Sequence, residues 1–446
     1  MSGGLRPAAS GAGRPPARSG TEKPPVAGVV AVRRLFGAQN ANFFLLLGTT
    51  LFLVIFGLVM VLSSSSVESF KTSDDFFAVF VKQGLYAVIG VPLMLIAARI
   101  PARFWRKWAW LAIILGIGLQ FLVVMTPLGY CYQGNCNWIN FGSFSAQPSE
   151  LLKLALVVWL AYILTVKNEL LDDWKHVLLP IGPVVVVAVG LVLKGHDLGT
   201  TLIILMIVFG ALFFAGIRMR FLVVPAAVMA FTALIFAFAN TSRTDRISAW
   251  MSGCTAGGEN AANECWQTLQ GWYALASGGV FGVGLGNSKA KWSWLPEVDN
   301  DFIFAVIGEE LGLIGAIVVL LLFVVLAIAF VRIIRANRDP FARITVSGVM
   351  VWIISQALVN IAVVLGLLPV LGVPLPLISA GGSALITTLL AIGVVLSFAR
   401  GGAEAPDPAG PRPRTASGAP RTVPGAAHGA AHGRPLGTAP DTRRRP

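Results

Sequence analysis

Three carboxylates, Glu297, Asp299 and Asp301, stand close together directly before an apolar run that begins at Phe302. Clustered negative charges raise one another's pKa, and an adjoining apolar segment removes water from the nearest of them. A carboxylate with a raised pKa is suited to take a proton from a hydroxyl group as a general base. The alternative is a solvated acidic helix start, stabilised by the helix dipole. The position of Asp301 against the apolar run favours the catalytic interpretation, and a helical segment would place Glu297 and Asp301 on one face.

Glu150 and Lys153 form a second charged pair, in an otherwise apolar segment that begins at Pro148. Proline suits the first turn of a helix, and a spacing of three residues puts both charges on one helix face. Ionisable groups at membrane depth are costly and are functional candidates by default. The spacing supports two interpretations equally. The pair either locks helix packing, or Lys153 reaches an anionic ligand such as a phosphate.

A glycine-rich segment, residues 278–287, precedes the carboxylates. No strand pattern leads into it, so it is not a dinucleotide-binding fingerprint. We expect a close-packed loop whose amides face an anion, and Lys289 and Lys291 follow it. Glu309 and Glu310 follow inside the next apolar segment, beside glycines suited to close helix packing, and are interpreted as structural.

The chain that carries these groups has the composition of a membrane protein. Of its 446 residues, 56% are hydrophobic and 12% are charged, and the mean hydropathy is +0.76. Soluble domains carry about 25% charged residues, so an ordinary soluble protein and a wholly disordered chain are both excluded. The formal net charge of +13 is concentrated at the two ends of the chain. It favours contact with anionic lipid headgroups over nucleic-acid binding, because no aromatic residues interleave with the arginines.

Ten segments are apolar and long enough to cross a bilayer. The loops rich in Lys and Arg follow the second, fourth, sixth and eighth segments, which places them and both chain termini in the cytoplasm. We therefore predict an all-α polytopic membrane protein with ten transmembrane helices. A large outer loop, 240–300, lies between helices 7 and 8, and a re-entrant Pro/Gly-rich segment, 366–382, lies between helices 9 and 10. The ten segments are roughly 43–62, 79–98, 108–127, 148–165, 177–194, 198–216, 221–239, 302–331, 342–365 and 382–399.

The two ends of the chain differ from its middle. Residues 1–40 and 401–446 are rich in Pro, Gly, Ala and Arg and lack apolar periodicity, so both are predicted to be disordered cytoplasmic tails. Residues 41–400 form the predicted membrane domain. No signal peptide is predicted, because the first long apolar run starts near Phe43 and is long enough to span.

All four cysteines fall in predicted outer loops, where disulfides are permitted. The simplest of the three pairings joins Cys131 to Cys136 and Cys254 to Cys265. Four free thiols are the alternative, which is less favoured because none of the cysteines lies in a helix as a small apolar filler.

The chain resembles the SEDS glycosyltransferases (shape, elongation, division and sporulation), with residues 286–288 closer to the division branch, FtsW-like, than to the elongation branch, RodA-like. Four blocks carry the resemblance in the family's order and spacing, over about residues 40–400. The first block is 138–139 with 147–151 and 153, and the second is 197–200. The third consists of 285–288, 295–297, 301–305 and 308–312, and the fourth of 375–379 with 381–383. Asn137 departs from the pattern, because the family usually has arginine there.

The resemblance implies polymerisation of lipid II into peptidoglycan strands at the outer face of the plasma membrane during cell division. In the family's pattern Asp301 is the catalytic aspartate, Glu150 and Lys153 are the charged pair of the central cavity, and Arg246 is the basic residue of the long outer loop. The resemblance also places substrate contacts at Glu297, Asn287, Lys289, Ser379 and Ser383.

The same resemblance implies that Asp301 takes the proton of the acceptor sugar hydroxyl, that undecaprenyl pyrophosphate leaves with inversion, and that Lys153 and Arg246 stabilise its charge. It implies a class B penicillin-binding protein as the transpeptidase partner, other division proteins as partners of the tails, and no nucleic acid. No metal-ligand cluster is predicted, and the sequence leaves open whether a divalent cation shares the work. A lipid II transporter and a non-enzymatic division scaffold are the alternatives.

Overall fold

The structure is a computed structural model that describes residues 41–132, 135–142, 144–238, 241–255, 258, 265–292 and 295–401. The predicted tails, 1–40 and 401–446, lie outside the described residues except for Gly401.

Within the described residues, ten long helices of 17 to 34 residues each correspond to the ten apolar segments of the sequence. Seven of them, the four between residues 41 and 166 and the three between 303 and 401, are long and apolar enough to cross a membrane, and the three between 174 and 238 contain shorter apolar stretches. This confirms the prediction of a mainly helical, polytopic membrane protein. The ten are α1 (Ala41–Ser73), α2 (Ala78–Ala97), α3 (Ala102–Met125), α4 (Pro148–Val166), α5 (Trp174–Lys194), α6 (Leu198–Phe214), α7 (Met219–Phe238), α10 (Ile303–Ala336), α11 (Pro340–Val364) and α12 (Ser383–Gly401).

Helix α4 lies at the centre of the bundle. It packs against α3, α5, α6, α11 and α12, and nearly all of its side chains are buried, with Trp159 and Leu160 fully enclosed. A helix that is hydrophobic all round is a buried helix. The central position of α4 explains why Glu150 and Lys153, at its first turns, are removed from solvent.

Three short strands connect α3 to α4, in a region for which the sequence predicted only a loop. Strands β1 (Gly129–Tyr132), β2 (Asn135–Phe141) and β3 (Phe144–Ala146) form an antiparallel sheet in sequence order. The Tyr86 hydroxyl of α2 donates to the Ser145 carbonyl oxygen at 3.2 Å. The sheet is therefore tied to the bundle and leads directly into the first turn of α4.

Two helices lie inside the predicted outer loop, α8 (Thr241–Ser252) and α9 (Trp266–Gly278). The indole Nε1 of Trp250 donates to the Gly366 carbonyl oxygen at 2.9 Å, which joins α8 to the segment that follows α11. The structure contains the bridges Cys131–Cys136 and Cys254–Cys265, and the described residues hold no free cysteine.

We expect both bridges in protein isolated under non-reducing conditions, because loop cysteines this close oxidise in an oxidising compartment. Mass spectrometry of a non-reduced digest will give two cross-linked peptides, one for each bridge. Recovery of the four cysteines as alkylated free thiols after rapid quenching counts against both the bridges and the outer location of these loops.

Residues 365–382, between α11 and α12, have no regular secondary structure. Leu375, Leu377 and Ile378 of this segment are buried. An added Cβ on Gly57, midway along α1, would lie 2.6 Å from the Ile378 Cα atom, so only glycine permits this approach of the two backbones. The irregular segment thus reaches the interior of the helix bundle.

Candidate active site

The carboxylate segment, residues 295–302, is a series of turns, so the condition under which Glu297 and Asp301 would share a helix face is not met. Glu297 has a positive φ of 53°, and its carbonyl oxygen accepts hydrogen bonds from the backbone amides of Asn300 and Phe302, both at 3.1 Å. Glu297 and Asp301 therefore do not share a helix face, and the turn folds them back toward each other. Regular helix begins only at Ile303.

Asp301 is a half-buried residue whose carboxylate is incompletely satisfied. Its Oδ1 atom is buried without a hydrogen-bond partner. Its Oδ2 atom faces Gly372, where an added Cβ would lie 3.6 Å away. A buried polar atom without a partner is uncommon in folded proteins and marks a site that awaits a ligand or water.

Burial raises the pKa of Asp301 to about 8, and the negative charges of Glu297, Asp197 and Asp299 add to the effect. Burial and the charge of Glu297 raise the pKa of Asp299 to about 6. The pKa of Asp301 therefore lies near neutral pH, as a general base requires.

Asp197 belongs to this site, although the sequence analysis placed it only in a motif. It begins α6, where its Oδ1 atom accepts a hydrogen bond from the Thr200 amide at 2.8 Å. Its Oδ2 atom accepts one from Gln147 Nε2, also at 2.8 Å. The first two turns of α4 and α6 thus meet at the carboxylate cluster. Its position directly before the apolar segment 198–216 is the local signal for a helix N-cap, but nothing local indicates its proximity to Asp301.

Two amides on one face of α11 position the backbone around Asp301. Asn360 Nδ2 donates to the carbonyl oxygens of Asp301 and Val373, both at 2.7 Å. One turn away, Gln356 Nε2 donates to the Pro374 carbonyl oxygen at 3.0 Å. These bonds join the carboxylate turn to the irregular segment 365–382. The sequence analysis missed both residues.

Ser379 and Ser383 hold the same segment in place. Ser379 Oγ donates to the Asn300 carbonyl oxygen at 2.7 Å and accepts from the Leu375 amide at 2.8 Å. Ser383 Oγ accepts from the Gln147 amide at 3.0 Å. Both hydroxyls are engaged with backbone next to the carboxylate cluster, and their expected contact with substrate stays a prediction.

Glu150 and Lys153 form a buried ion pair. Lys153 Nζ lies 2.8 Å from Glu150 Oε1 and donates to Gln356 Oε1 at 3.2 Å, and the side chain of Lys153 is only 1% exposed. The ammonium group also lies 4.7 Å from the centre of the Trp352 ring. Glu150 Oε2 is buried without a hydrogen-bond partner. Gln356 contacts both Lys153 and the segment at Pro374, so it links the pair to the carboxylate site.

The residues on either side of the glycine-rich loop, Ser277 and 288–290, bind the carboxylate of Glu309. The Ser277 hydroxyl and the Lys289 amide donate to Glu309 Oε1 at 3.1 and 2.9 Å. The Ser288 hydroxyl and the Ala290 amide donate to Glu309 Oε2 at 2.5 and 3.3 Å. The loop is therefore fastened to the second turn of α10, and the Lys289 side chain remains exposed.

Glu310 fastens the same loop to α1. Its two carboxylate oxygens accept from the Ser63 hydroxyl at 2.6 and 2.7 Å, and Lys291 Nζ lies 3.7 Å away. Asn287 is exposed and donates to the Val283 carbonyl oxygen at 3.1 Å. The loop is fastened at Glu309, and α10 begins at Ile303. At a rise of 1.5 Å per residue, the attachment lies about 9 Å along the helix axis from the first residue of α10. Contact of Asn287 and Lys289 with substrate stays a prediction.

We expect Glu309→Ala to lower the melting temperature far more than Glu309→Gln. Alanine leaves the Ser288 hydroxyl and the amides of Lys289 and Ala290 without their acceptor, and each unsatisfied group costs about 1–3 kcal/mol. Glutamine keeps one acceptor oxygen in the same place. The measurement is thermal unfolding of both purified variants in one detergent. Equal melting temperatures for Glu309→Ala and wild type would contradict the anchoring role.

Arg246 lies on the exposed surface of α8. Its expected interaction with a pyrophosphate stays a prediction. Within the described residues, no group of three or more His, Cys, Asp or Glu side chains is arranged to hold a metal ion.

The chain matches known proteins along most of its length. Residues 43–403 match the family model described as "Cell cycle protein", which covers FtsW, RodA and SpoVE. A probable peptidoglycan glycosyltransferase FtsW of Mycobacterium tuberculosis is 37% identical over 365 residues, covering 82% of this chain and 69% of the relative. A protein of the same description from Geobacter metallireducens is 40% identical and covers 77% and 91%. Stage V sporulation protein E of Bacillus subtilis is 35% identical and covers 80% and 96%.

Solved structures share the fold. The rod shape determining protein RodA of Thermus thermophilus matches with a TM-score of 0.60 at 25% identity, covering 82% of this chain and 98% of its own. A chain from a peptidoglycan synthase complex, described as coordinating polymerization and crosslinking, matches with a TM-score of 0.66 at 23% identity, covering 83% and 100%. With matches of this extent, the chain belongs to the FtsW/RodA/SpoVE family of cell cycle proteins, the SEDS family.

Proposed function

We propose that this protein polymerises lipid II into peptidoglycan glycan strands during cell division. The observation that carries the proposal is Asp301, an enclosed carboxylate whose pKa is raised to about 8 at the start of an apolar helix. Membership of the SEDS family supports the same reaction, since the curated relatives above are described as probable peptidoglycan glycosyltransferases.

In the proposed reaction, the 4-hydroxyl of the acceptor sugar attacks the anomeric carbon of the donor, and Asp301 takes the hydroxyl proton. The new glycosidic bond forms as the bond to the pyrophosphate oxygen breaks, with inversion at the carbon. The leaving undecaprenyl pyrophosphate gains the electron pair of the broken bond. Lys153 and Arg246 are proposed to stabilise that developing charge, which is an electrostatic contribution to catalysis.

We propose ten membrane crossings with both termini in the cytoplasm, which places the carboxylate site at the outer face. The first residues of α4, α6 and α10 meet at this site. Both disulfides lie in segments that the charge of the loops assigns to the outer side. The segment 366–382 is proposed to be re-entrant, and its approach to Gly57 midway along α1 supports this. Irregular backbone at such depth is tolerated where it is buried in protein.

We propose a class B penicillin-binding protein as the transpeptidase partner and the division septum as the location. Glycan strands need cross-linking to form a wall, so polymerase and transpeptidase act on the same product. The fold shared with a chain of a peptidoglycan synthase complex supports such an assembly.

A lipid II transporter and a non-enzymatic scaffold are the competing functions. Helices and a buried ion pair suit a transporter as well, but a transporter has no use for a carboxylate poised to take a proton from a sugar hydroxyl. A scaffold leaves Asp301 and the Glu150–Lys153 pair unexplained.

The test is incubation of the purified full-length protein with lipid II, with and without a purified class B penicillin-binding protein. We expect glycan polymer that a muramidase digests. Transfer of lipid II across liposome membranes without polymer would favour the transporter. Neither polymer nor transfer, with partner present, would favour the scaffold.

A further inference from the structure

An apolar groove runs between α3 and α5 on the outside of the bundle. Its volume is about 600 Å³, and it extends over residues 114–125 of α3 and 186–194 of α5. At 1.5 Å per residue these stretches span about 12–16 Å, roughly half of a bilayer's hydrocarbon core. The exposed side chains of Phe121 and Val187 belong to its walls.

Two glycines leave the groove empty. Gly118 of α3 and Gly190 of α5 both line it, and an added Cβ at either position would meet nothing within 4 Å. Glycine inside a helix costs about 1 kcal/mol relative to alanine. Neither glycine is needed for close helix packing, so packing does not explain why glycine stands at these positions. Open space for a ligand explains it.

A polar contact network holds the two helices apart at one end of the groove. Gln120 Nε2 of α3 donates to Asn137 Oδ1 at 2.5 Å, and Asn137 Nδ2 donates to the Gly195 carbonyl oxygen at 3.0 Å. Both side chains are fully buried. Asn137 of β2 thus bridges α3 and the residue that follows α5, and fixes their spacing near Lys194.

Lys194 stands at this same end. Its side chain is exposed, and its Nζ atom contacts Met125 Sδ at 3.0 Å. Within the described residues no carboxylate lies within ion-pair distance of it. Three residues further on is Asp197, whose charge contributes to the raised pKa of Asp301. The groove therefore ends in a cation available to an anion, next to the carboxylate site.

We propose that this groove binds the isoprenoid diphosphate part of a lipid-linked saccharide, with the isoprenoid chain between α3 and α5 and the diphosphate at Lys194. A long apolar slot with one cation at its polar end is complementary to an apolar chain with one anionic headgroup. The inference rests on the proposed function. Joining two lipid-linked saccharides requires two such lipids to be bound at once, so this groove is a second lipid site beside the one proposed at Lys153.

Photo-cross-linking tests the groove directly in the purified full-length protein. The probe is a farnesyl diphosphate analogue with a photoreactive group at the end of its chain, and labelled peptides are mapped by mass spectrometry. We expect labels on α3 and α5. Gly190→Leu should fill the groove and reduce this labelling at least tenfold. The matched control is Gly48→Leu, an exposed α1 glycine that also has nothing within 4 Å of an added Cβ, and it should label as wild type does.

The headgroup is tested with Lys194. Lys194→Met should reduce labelling by the diphosphate probe at least fivefold and leave labelling by the uncharged farnesol analogue unchanged. Lys194→Arg, which keeps the positive charge, should label with the diphosphate probe as wild type does. Unchanged labelling in Gly190→Leu, or competition by phosphatidylglycerol as strong as by undecaprenyl pyrophosphate, overturns the proposal. Cross-linking needs no turnover. Labelled α3 and α5 without polymerisation would therefore refute the proposed function alone, and polymerisation without groove labelling would refute the groove alone.

Discussion

Replacing Asp301 with asparagine will remove polymerisation of lipid II while the protein stays folded in detergent. Asparagine has the shape of aspartate and cannot take a proton. Loss of a general base typically costs 10²–10⁴-fold in rate, or about 3–5 kcal/mol of transition-state stabilisation. The substitution also removes a buried carboxylate that lacks a partner for Oδ1, so we expect the melting temperature to hold or rise.

Asp299→Asn is the matched control for this experiment. It removes a carboxylate from the same turn, two residues away, whose pKa burial and Glu297 raise to about 6. We expect this variant to polymerise within a few-fold of wild type. The catalytic role of Asp301 is refuted by near-normal polymerisation from a folded Asp301→Asn protein. It is equally refuted if both substitutions inactivate the protein to the same degree, because the loss then follows the charge of the turn.

Breaking the Glu150–Lys153 pair will have the second-largest effect. Lys153→Met leaves the Glu150 carboxylate buried without its cation, and Glu150→Gln leaves the ammonium group with only Gln356 and the Trp352 ring as charge-stabilising neighbours. Removing one partner of a buried pair typically costs about 3–5 kcal/mol. Each single variant should therefore melt well below wild type.

The double variant separates packing from catalysis. With both charges gone, no buried charge remains unpaired, so we expect much of the lost melting temperature to return. Polymerisation should stay low, because the cation proposed to stabilise the leaving pyrophosphate is absent. A double-mutant cycle on melting temperature and on rate measures the two couplings. If the double variant recovers activity together with stability, Lys153 does not bind the pyrophosphate and the ion pair is purely structural.

The sequence was sufficient to predict the parts of this molecule that depend on local composition. The long apolar helices follow from their length and hydropathy. Asp301, Glu150 and Lys153 stood out because a charge in an apolar segment is rare and costly. The glycine-rich segment was expected to present its own amides to an anion; the amides that bind the Glu309 carboxylate belong instead to Lys289 and Ala290, just after it.

The parts that depend on contacts between distant segments could not be predicted. Asp197 and Asp301 are brought together by the meeting of α6 and α10. Gln356 and Asn360 are neutral amides inside an apolar helix, where nothing local distinguishes an internal tether from a solvent-facing group. Whether residues 297–301 are helical was left open by the sequence, and the positive φ of Glu297 is a backbone conformation outside the helical region.

The most direct test of the central claim is the pH dependence of kcat/KM for polymerisation by the full-length protein. If Asp301 is the general base, kcat/KM rises about tenfold per pH unit at low pH and levels near its pKa of about 8. Glu297→Gln removes one of the negative charges that raise this pKa, so the levelling point must move to lower pH whatever happens to the plateau. A profile without a limb between pH 6 and about 8, or a limb that Glu297→Gln leaves in place, contradicts the account.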